Sequence, residues 1–205
     1  MTELYVSALI TFFVVIDPPG CAPIFAGLTK GASSVHRRAM AIRAVVVASV
    51  ILLVFALLGE DLLKALGISL ASFRIAGGIM LFLIALDMVF ERRTERREDR
   101  AAKLQAEQVE DVSIFPMAMP MIAGPGSIAS VMLLMARNDG LERTLVVLGA
   151  LATILLLTLA ALLAAGPLMR LLGTRIEAVI TRLLGVLLGA LAVQFVMDGL
   201  QVSLR

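Results

Sequence analysis

The chain alternates long apolar runs with short polar ones. Apolar residues fill 5–28, 41–58, 69–90, 112–136, 144–168 and 183–200, and only 91–111 is a polar stretch of any length. A helix needs about 20 apolar residues to cross the ~30 Å hydrocarbon layer at ~1.5 Å per residue. The pattern therefore predicts six membrane-spanning helices and leaves no room for a sizeable soluble domain. Two runs are interrupted from within, by Asp17-Pro18-Pro19-Gly20 in the first and by Gly124-Pro125-Gly126-Ser127 in the fourth. Proline removes a backbone N–H and clashes with the preceding turn, and glycine accepts the dihedrals that follow. Spans one and four are each expected to be two half-helices around an unwound joint. From the start of each run, Tyr5 to Asp17 and Val112 to Gly124 are both twelve steps. That is about 18 Å of helix and sets both joints near the bilayer midplane.

The two breaks are related. Pro125 and Gly126 follow Pro19 and Gly20 by 106 residues, residues 168–173 follow 62–67 at the same offset, and Arg182 and Gly185 follow Arg74 and Gly77 by 108. Ordered matches of this kind mark an internal repeat. Each copy has three spans, an odd number, so the second must enter the membrane from the opposite side. The expected fold is an all-α integral membrane protein built as two inverted three-helix repeats, 1–90 and 112–205. A charged cytoplasmic linker at 91–111 joins them; like charges recur four apart there, which does not support an isolated helix.

Composition agrees with this reading. The 205 residues are 60% hydrophobic with a mean hydropathy of +0.99, far above a soluble domain. One Cys and one His rule out an internal disulfide and give no metal-ligand spacing, so neither metal nor cofactor is expected. The pI near 9.1 does not imply nucleic acid, because net charge is only +2 and the basic residues sit at the ends of apolar runs. Thirteen of the 18 Lys and Arg fall on the side of the loops after spans one, three and five. The positive-inside rule then puts both termini outside the cytoplasm. The first run follows Glu3 rather than a basic region and runs into Asp17-Pro18 rather than a small-residue cleavage site, which makes it a poor cleavable leader.

Unwound backbone at membrane depth is tolerated only when buried in protein or facing a wet cavity. Two such joints meeting would form a small polar chamber whose centre lies between them. Half-helix N-termini near Cys21 and Ser127 suit a carboxylate, and Asp17 with unwound carbonyls suits an ammonium group, a proton or a cation. A small zwitterion matches both. The candidate binding set is Asp17, Pro18, Pro19, Gly20, Cys21, Ala123, Gly124, Pro125, Gly126 and Ser127, with Gln194 deep in span six. Asp17 aligns with the uncharged Ala123, so the pseudo-symmetric site has one carboxylate, which binds substrate, carries a proton, caps the following half-helix or pairs with Arg43. Arg74 and Arg182 occupy matching positions and read as gate or ion-pair residues or as snorkelling side chains, and Asp87 is a candidate partner of Arg43. Gly77, Gly78 and Gly185 read as close-packing positions, and Cys21 as a small packing residue.

Asp17-Pro18-Pro19-Gly20 with Pro23, the 73–78 segment, Pro116, Pro120, the 123–128 segment, Arg182, Gly185 and Gln194 together resemble the MarC family of bacterial inner-membrane proteins. The resemblance runs over essentially the whole chain. It implies a multi-pass protein of the LysE exporter superfamily that carries neutral amino acids such as alanine, glycine or serine. Many members have Asn where this chain has Cys21, so a polar contact of the first break differs here. The expectation is a secondary transporter, not an enzyme, working by alternating access as the two halves rock about the midplane. Its partners would be the lipid bilayer, a small neutral amino acid and a coupled proton or sodium, with a homo-oligomer left open. A channel or structural membrane subunit is the alternative, and an intramembrane protease pairing Asp17 with Asp87 a further one.

Overall fold

The computed structural model describes residues 1–90, 111–138 and 140–203, with the side chains of 168–178 outside the description. The linker expected at 91–111 therefore lies, apart from Asp111, outside the described residues. The chain is helical in the order α1 (Thr2–Ile16), α2 (Pro18–Leu28), α3 (Ser34–Ala65), α4 (Leu70–Val89), α5 (Ser113–Ile122), α6 (Pro125–Ala136), α7 (Leu141–Leu163) and α8 (Ala165–Ser203). Among the described residues five helices are long and apolar enough to cross a membrane, with α1 and α2 counted as one of 27 residues, and the bent α5–α6 pair brings the number to six if it is counted as one span.

Several helices run further than the apolar pattern alone suggests. α3 has 32 residues, about 48 Å, because its start is set by a cap: the Ser33 hydroxyl accepts from His36 N–H at 3.2 Å. Arg37 and Arg38 thus lie on its first turns rather than in a loop. Ser69 caps α4 in the same way, accepting from Ser72 N–H at 3.1 Å, after a turn at Gly67 with φ of 69°. Residues 168–173, expected to match that turn, instead continue the helix of α8.

The expectation of a regular half-helix over 112–124 is corrected by α5. Pro116 and Pro120 supply no N–H and push the residue before each away from helical dihedrals. Phe115 (φ −124°, ψ 123°) and Met119 (φ −132°, ψ 124°) are accordingly extended, each before a cis proline bond. The remaining turns are wide, closed by Met117 N–H to Val112 C=O and by Ala123 N–H to Ala118 C=O at 3.2 and 2.9 Å.

Burial separates the broken spans from the continuous ones. In α1–α2, 72% of the apolar window is buried, against 28–39% in α3, α4, α7 and α8, and α5–α6 is buried along most of its length. The four continuous spans expose Val50, Leu57, Leu83, Leu156 and Leu187 among others, as a lipid-facing surface would. The broken spans thus sit where protein, not hydrocarbon, surrounds the joints.

Two apolar clusters organise the packing. The larger joins α1, α2, α3, α5, α6 and α7, with Ala165 at the start of α8. The smaller unites α4 and α8 through Leu81, Ala85, Met88, Leu188, Ala192 and Phe195, and touches the rest at Val14, Val15 and Leu133. α4 and α8 run antiparallel on small residues. A Cβ on Gly78 would lie 2.8 Å from the Ala192 carbonyl, one on Gly185 2.9 Å from Met88 Cβ, and one on Gly199 2.9 Å from the Ala71 carbonyl. Such close approach maximises dispersion contact where lipid supplies no hydrophobic drive.

A candidate substrate site between the broken spans

At the first joint, Pro18 and Pro19 end α1 and begin α2, since proline is tolerated only where the N–H lacks a helical partner. Asp17 takes the left-handed conformation (φ 59°, ψ 65°) and is the one described non-glycine residue with positive φ; Asp is among the few residues that enter this region readily. Its N–H still bonds Phe13 C=O at 2.9 Å, and its own C=O accepts from Cys21 N–H at 3.0 Å. Asp17 Oδ1 accepts from Gly20 N–H at 3.1 Å. Of the roles open to Asp17, the geometry makes it at least the cap of α2, at 1% exposure. Cys21 is fully buried, its S–H directed at Ile16 C=O at 3.4 Å.

The second joint is built differently. Ala123 closes α5, Gly124 is extended (φ −78°, ψ 171°), and α6 restarts at Pro125 after a bend of 51°. Gly124 has no alternative residue, because a Cβ there would stand 2.4 Å from the Pro120 carbonyl oxygen. No side chain caps α6. Ala123, Gly124, Gly126 and Ser127 are buried and Pro125 is exposed.

The tertiary structure brings the joints into contact. A Cβ on Gly126 would lie 3.2 Å from Val15 Cγ1 and 2.6 Å from Ile84 Cδ1. The residue two places after one break thus touches the residue two places before the other, with α4 closing over both. An apolar groove of about 340 Å³ borders Pro18 and Pro19, with Phe13, Leu157 and Ala160 in its wall. Among the described residues no group of three or more His, Cys, Asp or Glu is placed to hold a metal ion.

The charged residues are arranged otherwise than the sequence pattern suggests. Arg43 pairs with Asp111 at the start of α5 rather than with Asp17 or Asp87. The Asp111 carboxyl is held below its ordinary value, chiefly by hydrogen bonding to Ser113 against the opposing effect of burial, with the Arg43 charge adding a lesser pull in the same direction. Arg74 reaches the end of α6, donating to Ala136 C=O at 3.5 Å, while Arg182 lies exposed on α8 and Asp87 half-buried on α4. Gln194 is exposed and donates to Asp198 Oδ1 at 2.8 Å, so it joins a cluster at the far end of α6. There Asp198 forms an ion pair with Arg137, whose guanidinium also lies 5.4 Å from the Phe195 ring centroid. The ion pair of Arg137 with Asp198 is one that sequence reasoning missed. The available signal was Asp198 itself, an acid near the end of an apolar run.

The whole chain has relatives. Residues 2–204 match the family model described as MarC family integral membrane protein. A UPF0056 membrane protein of Methanocaldococcus jannaschii is 36% identical over 205 residues, covering 98% of each chain. The UPF0056 membrane protein YvbG of Bacillus subtilis is 32% identical, covering 98% of this chain and 96% of its own. YhcE of Escherichia coli is 30% identical, with 97% and 92% covered. No solved structure matches the chain. Its several apolar helices, its two buried breaks and these full-length matches agree: the chain belongs to the MarC family of integral membrane proteins.

Proposed function

We propose that this protein is a secondary transporter of small neutral amino acids, or of similar small zwitterions, held between the two broken spans in the bacterial inner membrane. The observation that carries the reading is the contact between the two broken spans: Gly126, at the uncapped start of α6, packs on Val15, two residues before the buried Asp17. A carboxylate at one joint and an uncapped helix N-terminus at the other have opposite polarities, which suit a molecule that carries both charges. The basic loop ends put both chain termini outside the cytoplasm.

The packing also supports the inverted repeat. If α1 corresponds to α5, α2 to α6, α3 to α7 and α4 to α8, then α1 packing on α7 has its counterpart in α5 packing on α3, α2 on α7 in α6 on α3, and α4 packs on its own equivalent. Each broken span therefore rests on the middle helix of the opposite half. The halves interdigitate, which favours a moving unit other than the two sequence repeats; α4 and α8 share a core that also takes in Val14, Val15 and Leu133. Alternating access on this reading moves the α4–α8 pair against the other four spans. The Arg137–Asp198 ion pair, with Arg74 on Ala136 C=O, fastens it to α6 at one end.

The test is counterflow of labelled alanine and serine in proteoliposomes with a proton or sodium gradient imposed. Saturable, gradient-coupled exchange is expected. Unsaturable flux indifferent to both gradients would make the protein a channel.

A further inference from the structure

The two joints lie at one offset but hold different residues. At 106 residues, Asp17 corresponds to Ala123, Cys21 to Ser127 and Ile24 to Ser130. In the first joint a carboxylate already occupies the N-terminus of the restarting helix, as Asp17 Oδ1 takes Gly20 N–H. In the second that place has no carboxylate, the first turn of α6 has no side-chain cap, and its leading N–H groups have no acceptor within the helix.

Ser130 points to what fills it. Thr11, Thr29, Ser49, Thr153 and Thr158 each donate their hydroxyl to the carbonyl four residues earlier, at 2.7–2.8 Å. Ser130 is fully buried, yet its hydroxyl makes no such bond to Gly126 C=O or to any other group. A buried unpartnered hydroxyl costs about 1–3 kcal/mol, so its retention calls for a partner. Helical side chains lean toward the helix N-terminus, which carries the Ser130 hydroxyl back toward the uncapped turn. Positions 126 and 130 are one turn apart and share a face, the face that Gly126 turns to Val15, Leu81 and Ile84.

We propose that the first turn of α6 and the Ser130 hydroxyl form a carboxylate subsite, filled by the substrate's carboxylate as Asp17 fills the equivalent place at the first joint. Backbone N–H groups supply the positive dipole end, and Ser130 donates one further hydrogen bond. Because α4 closes over Gly126, a ligand enters when α4 draws back with α8. The assignment deepens the amino acid reading and rests on it only for the identity of the molecule that bears the carboxylate.

Binding of L-alanine, propionate and ethylamine to the purified full-length protein, wild type and Ser130→Ala, tests it. Propionate carries the carboxylate alone and ethylamine the ammonium alone. Ser130→Ala is expected to weaken alanine and propionate by about tenfold, the equivalent of one hydrogen bond, and to leave ethylamine unchanged. Its thermal midpoint should hold or rise, since no internal bond is lost; a structural serine would lower it. Equal alanine and propionate affinity in both proteins overturns the subsite while leaving the amino acid reading intact. Serine-dependent propionate binding without alanine binding supports the subsite and removes the amino acid. If wild type binds neither, both fall.

Discussion

The two broken spans solve one problem in opposite ways. The first is regular on both sides of a single left-handed residue and closes on itself, with its helix N-terminus capped by its own Asp17. The second is irregular before the joint, bent at it and uncapped after it. Their ends differ too. Arg43–Asp111 and Arg137–Asp198 pin the second span at both ends, whereas among the described residues no ion pair is formed by Glu3 or Lys30 at the ends of the first. The contrast teaches that the first joint satisfies its own helix N-terminus, whereas the second leaves it uncapped and is held in place from the ends of its span.

The largest expected effect comes from filling the space between the joints. Gly126→Leu places a side chain where even a Cβ meets Ile84 and Val15, an overpacking worth about 1–3 kcal/mol. Transport should vanish and the thermal midpoint drop. Gly27→Ala in the first broken span meets nothing within 4 Å and should leave both unchanged or slightly raise stability. Similar behaviour of the two variants would end the idea that the joints depend on close contact.

Asp17 offers the next test, because cap and charge can be separated. Asn caps a helix about as well as Asp and also tolerates the left-handed region, so Asp17→Asn should keep the midpoint within a degree or two. Asp17→Ala should cost about 0.5–2 kcal/mol as a lost cap. If the carboxylate meets a substrate ammonium, Asp17→Asn lowers transport at least tenfold, as expected for a charge-assisted bond of about 1.5–3 kcal/mol. Full transport by Asp17→Asn would reduce Asp17 to its capping role.

Smaller effects should follow at the ends of the second span. Arg137→Ala and Asp198→Ala, alone and together, form a double-mutant cycle whose coupling should reach about 0.5–3 kcal/mol if the pair fastens α6 to α8. Additive effects on transport rate would mean that the pair does not act as one gate.

The smallest effect belongs to Asp111. Its folded carboxyl titrates below its ordinary value of 3.8, so its contribution is present above the unfolded value and fades as pH falls through the lowered one. Asp111→Asn should flatten the acid limb of the midpoint-versus-pH curve below about pH 4 and leave neutral pH nearly untouched. An unchanged acid limb would show that this end of the span is held by something else.

Much of the architecture was legible in the chain. Apolar run lengths are dictated by bilayer thickness, so the spans emerge from counting. Proline and glycine act through their own backbone, so both breaks could be located without knowing any neighbour. The same local logic, followed further at Pro116 and Pro120, would have removed the expected half-helix in α5. Residues 168–173 misled because a match in residue type does not fix whether the chain turns or continues as helix.

What the sequence determined by itself was therefore one-dimensional: membrane class, approximate spans, the positions of the breaks and the offset between them. These depend on hydrophobicity and on dihedral limits within a few residues. The tertiary structure decided what depends on neighbours distant in the chain. It placed Gly126 against Val15, gave Arg43 to Asp111 and Arg137 to Asp198, moved Gln194 away from the joints, and joined α4 to α8 as a unit. Ion-pair partners and close contacts follow from how the helices pack, and residue spacing along the chain carries no record of which helix faces which.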